Sequence, residues 1–177
     1  MSWQAIARVL KGDKVGALVI GLHGAENELA TALTNLADAQ KTDHEIFHIA
    51  RDLSGWSREH VAVLAETGRH YDLSLSAEPQ GPSLDESSIS QKAKRKGAEV
   101  IRRFHEPSVL LIAELRDVHL LAAGVSVDWE VLAQCAQAMH DRELLELAQE
   151  CHPQTLRQLR WTNAKIKELA PQALVGG

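Results

Sequence analysis

The sequence predicts an all-α protein, a bundle of four long helices, and three observations carry that prediction. One apolar seam runs through Leu111, Leu115, Val118, Ala122, Val125, Trp129, Leu132, Ala136 and Met139. Its steps of three or four residues are the period of one helix face. A helix that long with a single stripe to bury needs other long helices beside it, and further tracts of the same period occur on both sides of it. Aromatic residues make up only 4% of the chain, so the core is expected to be built from Leu, Val, Ile and Ala. Small aliphatic side chains let helices approach closely.

The elements follow in order. Trp3, Ile6, Ala7 and Leu10 share a face and predict a short leading helix within residues 1–12. Gly12-Asp13 then offers a break and an N-cap. Val15, Leu18, Leu22, Leu29, Leu33 and Leu36 carry a first main helix to about Ala39. Thr42 with Glu45 has the spacing of a capping box, with Thr42 as the N-cap. A second helix follows through Ile46, Ile49, Leu53, Trp56, His60 and Leu64, ending near Gly68.

Residues 71–107 read as a long crossover. Glu78-Pro79-Gln80-Gly81-Pro82 cannot lie inside a helix. Ser83 with Glu86 then caps a short, strongly basic extra helix over Ser87 to His105. Glu106-Pro107 places proline at the first turn of the seam helix, where its missing N–H costs nothing. His140-Asp141 marks a turn, and the last helix runs through Leu144, Ala148, Cys151, Thr155, Leu159, Thr162 and Ile166. Pro153 falls inside that helix and must remove one backbone bond. Residues 170–177, opened by Ala170-Pro171, are expected to form a flexible tail.

Length and composition set the bounds. A chain of 177 residues suits a single domain, 1–177, with a substantial core. A hydrophobic content of 45% and a charged content of 24% are ordinary for a soluble protein. The net charge of −5 makes nucleic acid an unexpected partner. No stretch approaches the roughly 18 apolar residues of a membrane span. Neither a secretory leader nor a CxxC pair is evident, so Cys135 and Cys151 are expected to be reduced thiols in a cytoplasmic protein.

Helix, tight turn, helix, long connection, helix, tight turn, helix is the order of elements in the ferritin-like superfamily. The stretches HEIFHIARDLSGWSREHVAVLAETGRH (44–70) and QCAQAMHDRELLELAQECHPQTLRQLRWTNAKIKELAPQAL (134–174) resemble small bacterial members of that superfamily. The resemblance implies a ferritin-like four-helix bundle with one long crossover containing a short extra helix. It also implies an interior Glu on each of two helices and a Glu-x-x-His on each of the other two, holding two metal ions.

Position by position, that ligand set is incomplete. Glu26 falls between Leu22 and Leu29, inside the apolar stripe, and matches the first-helix glutamate. Glu45 and His48 form a literal Glu-x-x-His, but in the first turn of the second helix, where the cap accounts for Glu45. His60 continues Ile46, Leu53 and Trp56 on the inner side, near the level of Glu26. On the third helix Glu114 lies near the start of the seam, whereas Val118, Ala122 and Val125 leave its middle apolar. The fourth helix offers Cys151, His152 and Thr155, but Glu146 and Glu150 turn outward. Glu26, His60 and His152 are thus the candidate metal ligands, enough for one Fe, Mn or Zn ion at most and short of a di-iron centre.

Two other features stand out. Lys92, Lys94, Arg95 and Lys96 make a basic patch suited to an anion, without the interleaved aromatics that stack bases. Trp161 lies about a quarter turn or more off the inner stripe of its helix, a position for an interface beyond the bundle. The function expected from the sequence is a non-catalytic, ferritin-like bundle with no cofactor. It would act through self-association, as a homodimer, or through binding another protein. A metal-binding oxidase or metal-storage protein with a site at the bundle centre is the alternative.

Overall fold

A computed structural model describes residues 13–79 and 106–176, and all of their regular structure is helical. The leading helix expected within 1–12, the basic helix and the patch Lys92, Lys94, Arg95 and Lys96 lie outside the described residues. The main helices are α1 (Lys14–Ala39), α2 (His44–His70), α3 (Pro107–Met139) and α4 (Arg142–Val175). No helix among the described residues is long and apolar enough to cross a membrane.

Short polar side chains start three of the four helices. The Asp13 carboxylate accepts from the Gly16 N–H at 2.8 Å, and a Cβ at Gly16 would lie 2.6 Å from Asp13 Oδ2. Only glycine lets the cap close that tightly. Asp141 starts α4 by accepting from the Leu144 N–H at 3.0 Å. At α2 the cap is Asp43, which accepts from the Ile46 N–H at 3.1 Å, and not the expected Thr42. A carboxylate gains more than a hydroxyl from the partial positive charge of a helix N-terminus, and the register slips by one residue to use it. Glu45 is thereby released from the expected box, and its carboxylate meets Lys165 Nζ at 2.6 Å.

α3 begins with proline in its first turn and ends on His140, which takes the left-handed conformation at φ 58°. The Asp141 N–H then returns to the Ala136 carbonyl at 2.9 Å, closing the last turn. α4 carries both Pro153 and Pro171 in its interior and continues to Val175, where the sequence suggested a flexible tail from residue 170. A single proline costs one backbone bond and a bend, which a 34-residue helix absorbs.

Two contacts fix the direction of α3. Trp129 packs beside His60 and, further along, Asp141 accepts a hydrogen bond from the Tyr71 hydroxyl at 2.5 Å. α2 and α3 therefore run the same way, and the end of α2 and the start of α3 lie at opposite ends of the helices. α1 packs on α2 and on α3, and α4 packs on α3 and on α2, each pair antiparallel.

The interfaces differ in chemistry. Leu22, Leu29, Leu33 and Leu36 of α1 face Leu115, Val118, Val125 and Leu132 in one apolar core. The α3 seam is buried from Leu115 to Ala136, while Leu111 is half-buried and Met139 is 45% exposed. Between α2 and α4 the contacts are instead polar: His60 with Gln154, Ser57 and the Leu53 carbonyl with Gln158, and Glu45 with Lys165. That polar seam bears the most distinctive chemistry of the interior.

Candidate functional site

Glu26 is completely buried in α1. Its Oε1 accepts from Trp129 Nε1 at 2.7 Å and from His60 Nδ1 at 2.7 Å. The rings of His60 and Trp129 meet edge to face, with centroids 5.6 Å apart and planes at 80°. The far side of the imidazole, Nε2, lies 3.1 Å from Gln154 Oε1, and the buried Cys151 thiol is also beside the ring. Both ring nitrogens thus face oxygen acceptors, and only the imidazolium can donate to both.

Burial works against a charge on His60, but hydrogen bonding with Cys151 and Glu26 and the Glu26 charge outweigh it. The pKa is raised from 6.5 to about 10. Glu26 and His60 are therefore a buried, hydrogen-bonded pair in which the contact offsets the cost of burying the imidazolium. Glu26 Oε2 remains buried without a hydrogen-bond partner.

Further polar layers lie toward Lys165. Gln158 Nε2 donates to the Leu53 carbonyl at 3.0 Å and to Ser57 Oγ at 2.9 Å. His119 Nδ1 lies 2.8 Å from Thr162 Oγ1. Lys165 bridges Glu45 and Glu168, and its pKa is raised chiefly by the hydrogen bond to Glu45, against the effect of burial.

The candidate ligands separate. Glu26 and His60 come together as expected, but His152 turns toward α3. Its Nε2 lies 2.9 Å from Ser126 Oγ, and its Nδ1 lies 3.7 Å from Glu130 Oε2. At the bundle centre Glu26 and His60 are bonded to each other, and His152 is not with them. Glu26 Oε1 is shared by two donors, while its Oε2 has none. Among the described residues no group of three or more His, Cys, Asp or Glu side chains is arranged to hold one. Trp161, expected at an exposed interface, is half-buried, packs against the core and has its Nε1 buried without an acceptor.

The sequence offered signals for three residues that were missed. Trp129 sits in the seam by phase, and a buried indole N–H needs an acceptor, which Glu26 supplies. Gln158 and Lys165 stand three residues after Thr155 and Thr162 on the same face, so the polar stripe of α4 has helical spacing. What the sequence did not carry was which neighbour that stripe faces.

The chain matches no family model, no curated protein and no solved structure.

Proposed function

We propose that this chain is a ferritin-like helical bundle that keeps the architecture without a di-metal centre and acts by pairing with a second copy of itself. Kinship to that superfamily is supported by the antiparallel helix neighbours and the parallel run of α2 and α3. The Glu26–His60 pair supports a structural centre, since the two groups best placed to ligate are spent on each other. The free thiols Cys135 and Cys151 suit the reducing interior of a cell.

One observation carries the association. The outward face of α3, opposite its buried seam, is apolar: Val127 is 61% exposed and Val131 43% exposed, with half-buried Leu120 on the same stripe. Gly124 on this stripe is also exposed, and a Cβ there would meet nothing within 4 Å. The hollow at Gly124 and the bump at Val131 flank Val127 at nearly equal distance along the helix. Two antiparallel copies crossing at Val127 would seat each Val131 over the other's Gly124, the self-complementarity a two-fold interface requires.

Sedimentation equilibrium tests this. The wild type is expected to be a dimer, and the Val127→Lys, Val131→Lys double variant a monomer with unchanged helical circular dichroism. A monomeric wild type at the highest attainable concentration, or a variant that still dimerises, overturns the reading.

A further inference from the structure

A cleft of about 330 Å³ opens between the C-terminal half of α3 and the N-terminal half of α4. It lies on a different face of α3 from the Val127 stripe and apart from the Glu26–His60 pair. Ala133, Leu145, Ala148 and Pro153 give it apolar walls, and Glu130, Gln149 and His152 bring polar groups to it. Among the described residues its lining contains one carboxylate and neither lysine nor arginine.

Two acceptors there are open. Pro153 has no N–H, so the Gln149 carbonyl, one turn back at the cleft wall, lacks its helical donor. Glu130 Oε1 accepts from Gln134 Nε2 at 3.1 Å, an exposed bond one turn along the same helix. Its Oε2 faces His152 Nδ1 at 3.7 Å, beyond hydrogen-bond reach, and the His152 ring is fixed from its other side by Ser126 at 2.9 Å. A carboxylate oxygen and a freed carbonyl beside an apolar wall call for a ligand with several N–H donors, a positive charge and a short hydrocarbon body.

We propose that this cleft binds a small primary alkylammonium ion. Its head group is directed at Glu130 and the Gln149 carbonyl, and its chain lies along Leu145, Ala148 and Pro153. The volume is at the lower end of small-molecule sites, which fits a ligand of a few carbons. The charge supplies the selectivity: a neutral alcohol of the same length keeps the apolar contact and loses the charge-assisted bond, and a carboxylate is repelled.

Nuclear magnetic resonance titration of the full chain at constant ionic strength tests the proposal, with n-butylammonium, n-butanol and n-butyrate as probes. Saturable shifts at Glu130, Gln149 and His152 are expected with butylammonium. Butanol should bind about tenfold more weakly, and butyrate should not saturate. Glu130→Gln should weaken butylammonium about tenfold, and Pro153→Ala, which restores an N–H donor to the Gln149 carbonyl, should also weaken it. Glu146→Gln, an exposed acid paired with Arg142 outside the cleft, should leave binding unchanged. No saturable binding, equal binding of butanol and butylammonium, or full affinity in Glu130→Gln overturns the assignment. All three substitutions are at exposed positions, so lost binding in a folded variant is not lost folding.

Discussion

One carboxylate oxygen of Glu26 holds an imidazolium and an indole N–H in place, which makes the pH response of the molecule a property of single residues. The folded-state pKa of His60 lies above its unfolded value, at about 10 against 6.5. The stability it contributes is therefore fully present below about pH 6.5 and is lost as pH rises through about 10. Urea-denaturation midpoints are expected to fall between pH 7 and pH 10 in the wild type. The decline should be shallower in His60→Gln, which has no proton to release there. Equal slopes in the two proteins would mean that His60 is neutral in the folded state. Glu26 was legible as an acid inside an apolar stripe, and His60 as a histidine on an inner face. That Trp129 completes the pair was not, because phase places an indole in the core without naming the acceptor its N–H finds.

At the scale of the helix, the ends are decided by single polar side chains, and the one misjudged end has a local cause. Thr42 and Asp43 are adjacent and both cap-competent, and the chain uses the carboxylate. Asp43→Ala is expected to cost about 1 kcal/mol in equilibrium unfolding, while Thr42→Ala should fall within experimental error. A larger loss at Thr42 would restore the expected register. At the other end of the same helix Tyr71 donates to Asp141, which also caps α4. That bond, with the backbone donor at Leu144, lowers the Asp141 pKa, while burial and the Asp141 contact raise that of Tyr71. One carboxylate thus joins the end of the first hairpin to the turn of the second.

Across the whole molecule, α1 and α3 meet largely through aliphatic side chains, whereas α2 and α4 meet through serine, histidine, glutamine, glutamate and lysine. Buried polar layers add little net stability but penalise wrong pairings, since a shifted helix would strand their donors and acceptors. A centre made of an ion pair rather than metal ligands predicts indifference to chelation. Thermal midpoints before and after dialysis against EDTA should coincide, and a drop of several degrees would place a structural metal in the protein.

The sequence by itself determined the helices, their order and most of their boundaries, because capping, proline placement and apolar period act within a few residues of one another. It also determined that α1 and α2 each carry a polar residue inward. Only the tertiary structure decided what those residues do. His152 and His60 belong to one short tract of the interior when counted along the helices, yet a rotation of α4 gives His152 to Ser126 and Glu130, and Gln154 and Cys151 to His60. Helical phase fixes which side chains share a face, whereas the rotation of that face toward one neighbour or another is set by the packing of all four helices at once.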